Sequence, residues 1–285
     1  MKALANLNGE RLPLEEVRVP ALDRGFLFGD AVYEVLRVYG GRPWLLEEHF
    51  GRLARSLDAV RIRGVDLDRL RRRMHETIAA GPFREAIVYI QVTRGAAPRS
   101  HKFPIRATPL EFLYVDEFHD PYSEPRRGGA AVITQPDRRW DRCDIKSTNL
   151  LGNVLAMQAA SEAACMEALL YLPDGTLTEG THTSFFGVRQ GTVLTAPISQ
   201  DILPGITRGL ILGLARRAGI AVREEVLGRA DLEHVSELFL TGTTSEVLPV
   251  VQVDGRPVGD GRPGPITRRL QDAYGEAVRE FLAVE

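Results

Sequence analysis

Only three of the 36 lysines and arginines in this chain are lysine. One of them, Lys146, lies in the run Trp140-Asp141-Arg142-Cys143-Asp144-Ile145-Lys146-Ser147-Thr148-Asn149. Lysine forms Schiff bases with carbonyl compounds and arginine cannot replace it there. Lys2 is terminal and Lys102 sits among charged residues, whereas Lys146 follows an apolar Ile and precedes a helix-opening Ser-Thr-Asn. An ordinary surface lysine would fit the same place. Glu179, in Leu177-Thr178-Glu179-Gly180-Thr181-His182-Thr183-Ser184, ends a strand beside small residues. It is either a hairpin glutamate or a carboxylate aimed at a cationic ring nitrogen.

Three further segments offer donors for anions. Leu203-Pro204-Gly205-Ile206-Thr207-Arg208 opens a helix, where backbone N–H groups, a hydroxyl and the positive dipole end suit a phosphate; a plain loop and N-cap would read the same way. Thr241-Gly242-Thr243-Thr244-Ser245-Glu246 follows a strand and could add N–H and hydroxyl donors. No Gly-Lys-Ser/Thr follows either run, which argues against nucleoside triphosphate chemistry. Arg99 and His101 stand two apart; in extended chain they share a side and suit a carboxylate gripped by the guanidinium fork. A solvated basic loop is the alternative. Tyr33, after Asp23-Arg24-Gly25-Phe26-Leu27-Phe28-Gly29-Asp30, falls in a strand, where a tyrosine is ordinarily a core residue with its hydroxyl satisfied.

The elements that must position these residues alternate between strand and helix. Residues 4–20 read as short strands turning at Asn8-Gly9, and 31–39 as a strand turning at Gly40-Gly41. Helical spacing runs through Phe50, Leu53, Leu57 and Val60, and again through Leu67, Leu70, Met74 and Ile78. Residues 86–93 and 110–115 read as core strands, closing an N-terminal α+β domain over 1–117. The polar stretch 118–129, with two prolines and two glycines nearby, reads as a linker, and 130–285 as a second domain. That second part predicts a strand at 130–134, a helix over 149–165, hairpins turning at Pro173-Asp174-Gly175 and Arg189-Gln190-Gly191, a helix over 205–218, a strand at 237–241 and a terminal helix over 265–282.

Composition narrows the function classes. A formal net charge of −2 gives no overall attraction for nucleic acid or an anionic membrane. No apolar run approaches the ~20 residues of a membrane span, and Met1-Lys2-Ala3-Leu4-Ala5-Asn6 opens no signal peptide. Cys143 and Cys165 are distant and lack metal-site spacing, so neither a disulfide framework nor a metal site is expected. A cytoplasmic protein is the expectation.

Taken in order, Asp23-Arg24-Gly25…Phe28-Gly29-Asp30, Lys146, Thr178-Glu179-Gly180, Leu203-Pro204-Gly205-Ile206-Thr207-Arg208 and Thr243-Thr244-Ser245-Glu246 resemble the fold-type IV pyridoxal-phosphate enzymes over nearly the whole chain. Within that family, Tyr33-Glu34-Val35, Arg99-Ser100-His101 and Leu151 resemble the D-amino acid aminotransferases more than the branched-chain enzymes. The resemblance implies a two-domain α+β fold, a smaller N-terminal α/β sandwich and a larger C-terminal α/β pseudobarrel. It implies pyridoxal 5'-phosphate as cofactor, D-amino acids and 2-oxo acids as substrates, and a homodimer with shared active sites. Lys146 would be the Schiff-base lysine and the base at the substrate Cα, and Glu179 the partner of the pyridine nitrogen. Arg52, Ile206, Thr207, Thr243 and Thr244 would hold the phosphate, Leu203 would pack on the ring, and Tyr33 with the partner subunit's Arg99 and His101 would hold the α-carboxylate. The alternatives are a branched-chain L-amino acid or (R)-amine transaminase of the same fold, and a non-catalytic binder of the cofactor. One departure stands out: Thr181-His182-Thr183-Ser184 replaces the family's run of small residues after Glu179-Gly180. His182 is bulky and titratable near neutrality; it reads as a surface residue pointing away, and the family's contacts are not carried onto Thr181, Thr183 or Ser184.

Overall fold

A computed structural model describes residues 3–284; Lys2, the terminal lysine, lies outside them. The chain divides into two compact units, 1–119 with 145–149, and 120–144 with 150–285.

The first unit is built on a six-stranded sheet. Its strands are β1 (Leu4–Leu7), β2 (Glu10–Pro13), β3 (Ala31–Tyr39), β4 (Arg42–Pro43), β5 (Ala86–Thr93) and β6 (Leu110–Glu117), in the order β2-β1-β6-β5-β3-β4. Asn8 and Gly9, both at positive φ, make the first turn, as their sequence predicts. Its helices are α1 (Arg24–Phe28), α2 (Leu46–Ala59) and α3 (Leu67–Ala79). Strand alternation sorts β3 and β5 onto two faces. Leu36, Val38, Val88, Ile90 and Val92 form one core with Phe50, Leu53, Leu57, Leu70, Met74 and Ile78 of α2 and α3. The other face carries partly buried Tyr33, Tyr89 and Tyr114, with Tyr89 stacked on both neighbours at 5.6 and 5.3 Å between ring centres.

The second unit adds α4 (Ser123–Gly128), β7 (Ala130–Pro136), α5 (Leu151–Glu162), β8 (Glu167–Tyr171), β9 (Leu177–Gly180), β10 (Ser184–Arg189), β11 (Thr192–Thr195), α6 (Ile206–Arg217), β12 (Val222–Glu224), β13 (Glu237–Gly242), β14 (Glu246–Val253), β15 (Arg256–Pro257) and α7 (Pro265–Ala283). The sheet order is β12-β11-β10-β13-β14-β7-β8-β9, with β15 against β14. β9 ends that path, yet only Thr181–Thr183 separate it from β10, third from the other end. So short a connection requires the sheet to curl until β9 returns to β10, and the Gly180 N–H donates to the Thr183 carbonyl at 2.8 Å. This is the curled sheet of a pseudobarrel. Among the described residues no helix is long and apolar enough to cross a membrane.

One expectation is corrected. The stretch 118–129 is not a bare linker: residues 120–129 belong to the second unit and contain α4. Tyr122 packs on that unit's core, and Arg268 and Gln271 donate to the Arg126 carbonyl at 3.1 and 2.9 Å. Such tertiary partners override the local signal of proline and glycine. Of the two readings left open for Arg99 and His101, the loop is the one observed: the chain between β5 and β6 bends through both residues.

Candidate active site

Lys146 is held against β3. The Tyr33 N–H donates to its carbonyl at 2.9 Å, and Ser147 bridges Val32. The Lys146 N–H donates to Ser56 Oγ of α2 at 3.3 Å. Its Nζ lies 4.2 Å from the centre of the Tyr33 ring, a cation–π contact that aims the amine along the aromatic face. The run is pinned further by Thr148 Oγ1 and Asn149 Nδ2, each donating to the Gly29 carbonyl at 3.2 Å. Gly29 is required there: its φ is +65°, and a Cβ would meet Asn149 Oδ1 at 2.5 Å. The Phe28-Gly29-Asp30 motif thus seats the lysine segment.

Behind Tyr33, alternation turns Glu34 to the opposite face, buried against α2. Arg52 donates to both its oxygens, at 2.7 and 2.8 Å, and His49 Nδ1 lies 2.7 Å from Oε2. Burial alone would raise Glu34, but Arg52 and His49 hold it down at about 2. Burial lowers His49, against the pull of Glu34. Arg52 is therefore a charged, fixed guanidinium, 3% exposed.

Arg99 and His101 converge through a different device from the one expected. Arg99 Cζ lies 5.4 Å from the centre of the Phe28 ring and the His101 ring 5.5 Å from it. Both are exposed. The loop is anchored by buried Arg24, which donates to the Ser100 carbonyl at 2.6 Å and pairs with Asp30 at 2.8 Å.

In the second unit Glu179 sits on β9 with both oxygens engaged. The Leu203 N–H lies 3.1 Å from each, and Arg139 forms an ion pair with Oε1. Arg139 is also paired with Asp137 at 2.7 Å, and Thr178 donates to that Asp137 at 2.9 Å. Burial pushes the Glu179 carboxyl up to about 7, with Arg139 and the Leu203 N–H pulling the other way. Arg139 is raised in turn by its two carboxylate partners, against its own burial.

Gly205 caps α6 without any side-chain hydrogen bond, leaving the Ile206 and Thr207 amides at the open, positive end of a twelve-residue helix. A Cβ on Gly205 would meet Ser184 Oγ at 2.5 Å, and Ser184 pairs in register with Thr241 on β13. The helix end and the 241–245 turn therefore share one neighbourhood. There the buried hydroxyls of Thr241 and Ser245 find no hydrogen-bond partner, and such buried polar atoms ordinarily have one. Thr243 and Thr244 form the tip of the turn.

The turn after Glu179 is organised by Glu167, 1% exposed on β8. Its carboxylate accepts from the Thr181 N–H at 3.0 Å, Thr181 Oγ1 at 2.5 Å and Thr183 Oγ1 at 3.0 Å, and lies 2.9 Å from His182 Nδ1. Burial would raise Glu167, but His182 and these donors hold it at about 2.

Residues 31–253 match the family model described as amino-transferase class IV. The chain belongs to this family. Class IV aminotransferases similar to it include the D-alanine aminotransferase of Bacillus licheniformis, 39% identical over 98% of this chain and 97% of that protein. The D-alanine aminotransferase of Staphylococcus haemolyticus is 36% identical over 95% of this chain and 96% of its own. Among solved structures, a branched-chain amino acid aminotransferase of Escherichia coli superposes with a TM-score of 0.92 at 27% identity, covering 97% of this chain and 94% of that one. The T.th. branched-chain amino acid aminotransferase with pyridoxamine 5'-phosphate gives 0.91 at 28%, covering 98% and 94%. The α+β class expected from the sequence is the class observed.

Arg139, Asp137, Glu34 and Glu167, which buttress this aminotransferase's candidate residues, were not singled out from the sequence. In so arginine-rich a chain nothing marks one arginine as the buried partner of a glutamate 40 residues away.

Proposed function

We propose that this aminotransferase is a cytoplasmic pyridoxal 5'-phosphate enzyme that converts D-alanine and 2-oxoglutarate to pyruvate and D-glutamate, reversibly. The observation that carries the choice of substrate is the likeness to D-alanine aminotransferases at 36–39% identity over about 95% of the chain or more. The donor set fits the cofactor. The open end of α6 and the unpartnered Thr241 and Ser245 hydroxyls suit a phosphate, a buried carboxylate suits a cationic ring nitrogen, and a lysine amine suits an aldehyde.

When bound, the cofactor supplies an aldehyde that captures an amino group and a ring that takes up the electron pair left at Cα. Lys146 Nζ would hold the cofactor and would move the proton at the substrate Cα. Glu179, its oxygens fixed by Arg139 and the Leu203 N–H, would keep a proton on the ring nitrogen, and Leu203 would pack on the ring. Arg52, fixed by Glu34, the Ile206 and Thr207 amides and Thr243 with Thr244 would hold the phosphate. Tyr33 takes the α-carboxylate with Arg99 and His101 contributed by the neighbouring subunit of a homodimer. Their exposure supports this last role, as do the exposed apolar neighbours Phe26, Phe103 and Ile105 in the same unit. A branched-chain L-amino acid is the second reading, favoured by the structural likeness to branched-chain amino acid aminotransferases at 27–28% identity.

Arg99→Ala tests the carboxylate assignment. Loss of a charge-assisted contact should raise KM for D-alanine about 10- to 150-fold and leave cofactor absorbance intact. Steady-state kinetics with D-alanine, L-leucine and (R)-1-phenylethylamine, each with 2-oxoglutarate, decides the donor class. Unaltered D-alanine kinetics in the variant, or a wild-type preference for L-leucine or the amine, would overturn the reading.

A further inference from the structure

The proposed site names holders for one substrate carboxylate, yet 2-oxoglutarate and D-glutamate each carry two. D-alanine and pyruvate carry one. A group that serves only the dicarboxylic pair should be able to donate a hydrogen bond to an anion and should be fixed by its surroundings.

His182 meets these conditions within the second unit. It lies three residues after Glu179, in the turn joining β9 to β10. Its Nδ1 is 2.9 Å from a carboxylate oxygen of Glu167, an anion buried beneath the turn. A carboxylate there fixes the orientation of the ring. The opposite nitrogen, Nε2, lies 3.4 Å from Tyr122 Oη. Tyr122 is in turn hydrogen-bonded with the Thr244 side chain, and the His182 carbonyl would lie 3.8 Å from a Cβ on Gly242. Tyr122 thus links the imidazole, whose side chain is 44% exposed, to the 242–244 turn. Glu167 collects donors from Thr181, His182 and Thr183, and so fixes this ring together with the turn that carries it.

We infer that His182, positioned by Glu167 and flanked by Tyr122, binds the distal carboxylate of the dicarboxylic substrates and sets the preference for 2-oxoglutarate over pyruvate as amino acceptor. This rests on the function proposed above.

The test uses the holoenzyme and compares His182→Gln and His182→Ala with the wild type. For each protein, KM is measured for 2-oxoglutarate with D-alanine as donor, and for pyruvate with D-glutamate as donor. The ratio of the first to the second should rise about 10- to 150-fold in both variants, the range for a lost hydrogen bond to a charged group. Glu167→Gln should raise it in the same direction. A merely structural histidine would move both constants together and leave the ratio within about twofold, which would overturn the inference. Weakened cofactor retention in His182→Gln, with the ratio unchanged, would instead assign the residue to the phosphate and overturn it too. A wild type inactive on D-alanine would refute the proposed function itself; an active wild type whose ratio ignores His182 would refute this inference alone.

Discussion

Replacing Lys146 by alanine is expected to lower transamination from D-alanine by at least about 10³-fold, since one residue supplies both the covalent attachment and the proton transfer. The substitution should leave the fold intact. What docks the segment is its main chain, through the Tyr33 N–H to the Lys146 carbonyl and the Lys146 N–H to Ser56 Oγ. Alanine keeps both bonds and forfeits the contact of Nζ with the Tyr33 ring. Borohydride reduction of the wild type followed by peptide mass analysis should find the cofactor on Lys146. Attachment at Lys102, or a variant within tenfold of wild-type turnover, would remove Lys146 from the chemistry.

Glu179→Gln should retain cofactor and slow proton removal from D-alanine by roughly 10²–10³-fold, the size of effect seen when one preorganised electrostatic group is lost. The amide is nearly the same shape, and its oxygen can still accept from the Leu203 N–H and Arg139. It cannot hold a proton on an opposing ring nitrogen as a carboxylate does. Glu179→Lys should be worse, placing a second cation beside Arg139 in a buried setting. Pre-steady-state absorbance with D-alanine measures the step, and an unchanged rate in Glu179→Gln would reduce Glu179 to a structural partner of Arg139.

Much of this arrangement could be read from residue order because it depends on local periodicity. The 3.6-residue spacing of Phe50, Leu53 and Leu57 marks α2, which carries Arg52, and the apolar run 86–93 marks β5. Gly205 before Ile206-Thr207 marks the open end of α6. Side-chain partnerships left no such trace. Arg139 with Glu179, Arg52 with Glu34, and Glu167 beneath Thr181–Thr183 join residues far apart in the chain through burial and charge. Position 182 shows the difference most clearly. The sequence presents a lone histidine in a hairpin turn, read as a surface residue, and only the fold supplies the carboxylate under it. The helix at 123–128 escaped for a related reason, since its stabilising partners, Arg268 and Gln271, lie some 140 residues later.

The central claim is transfer between D-amino acids, and the configuration of the product tests it most directly. Holoenzyme supplied with D-alanine and 2-oxoglutarate should form pyruvate and glutamate in equal amounts, and chiral chromatography should find the glutamate to be the D enantiomer. Formation of L-glutamate, or of glutamate from L-leucine but not from D-alanine, would contradict it.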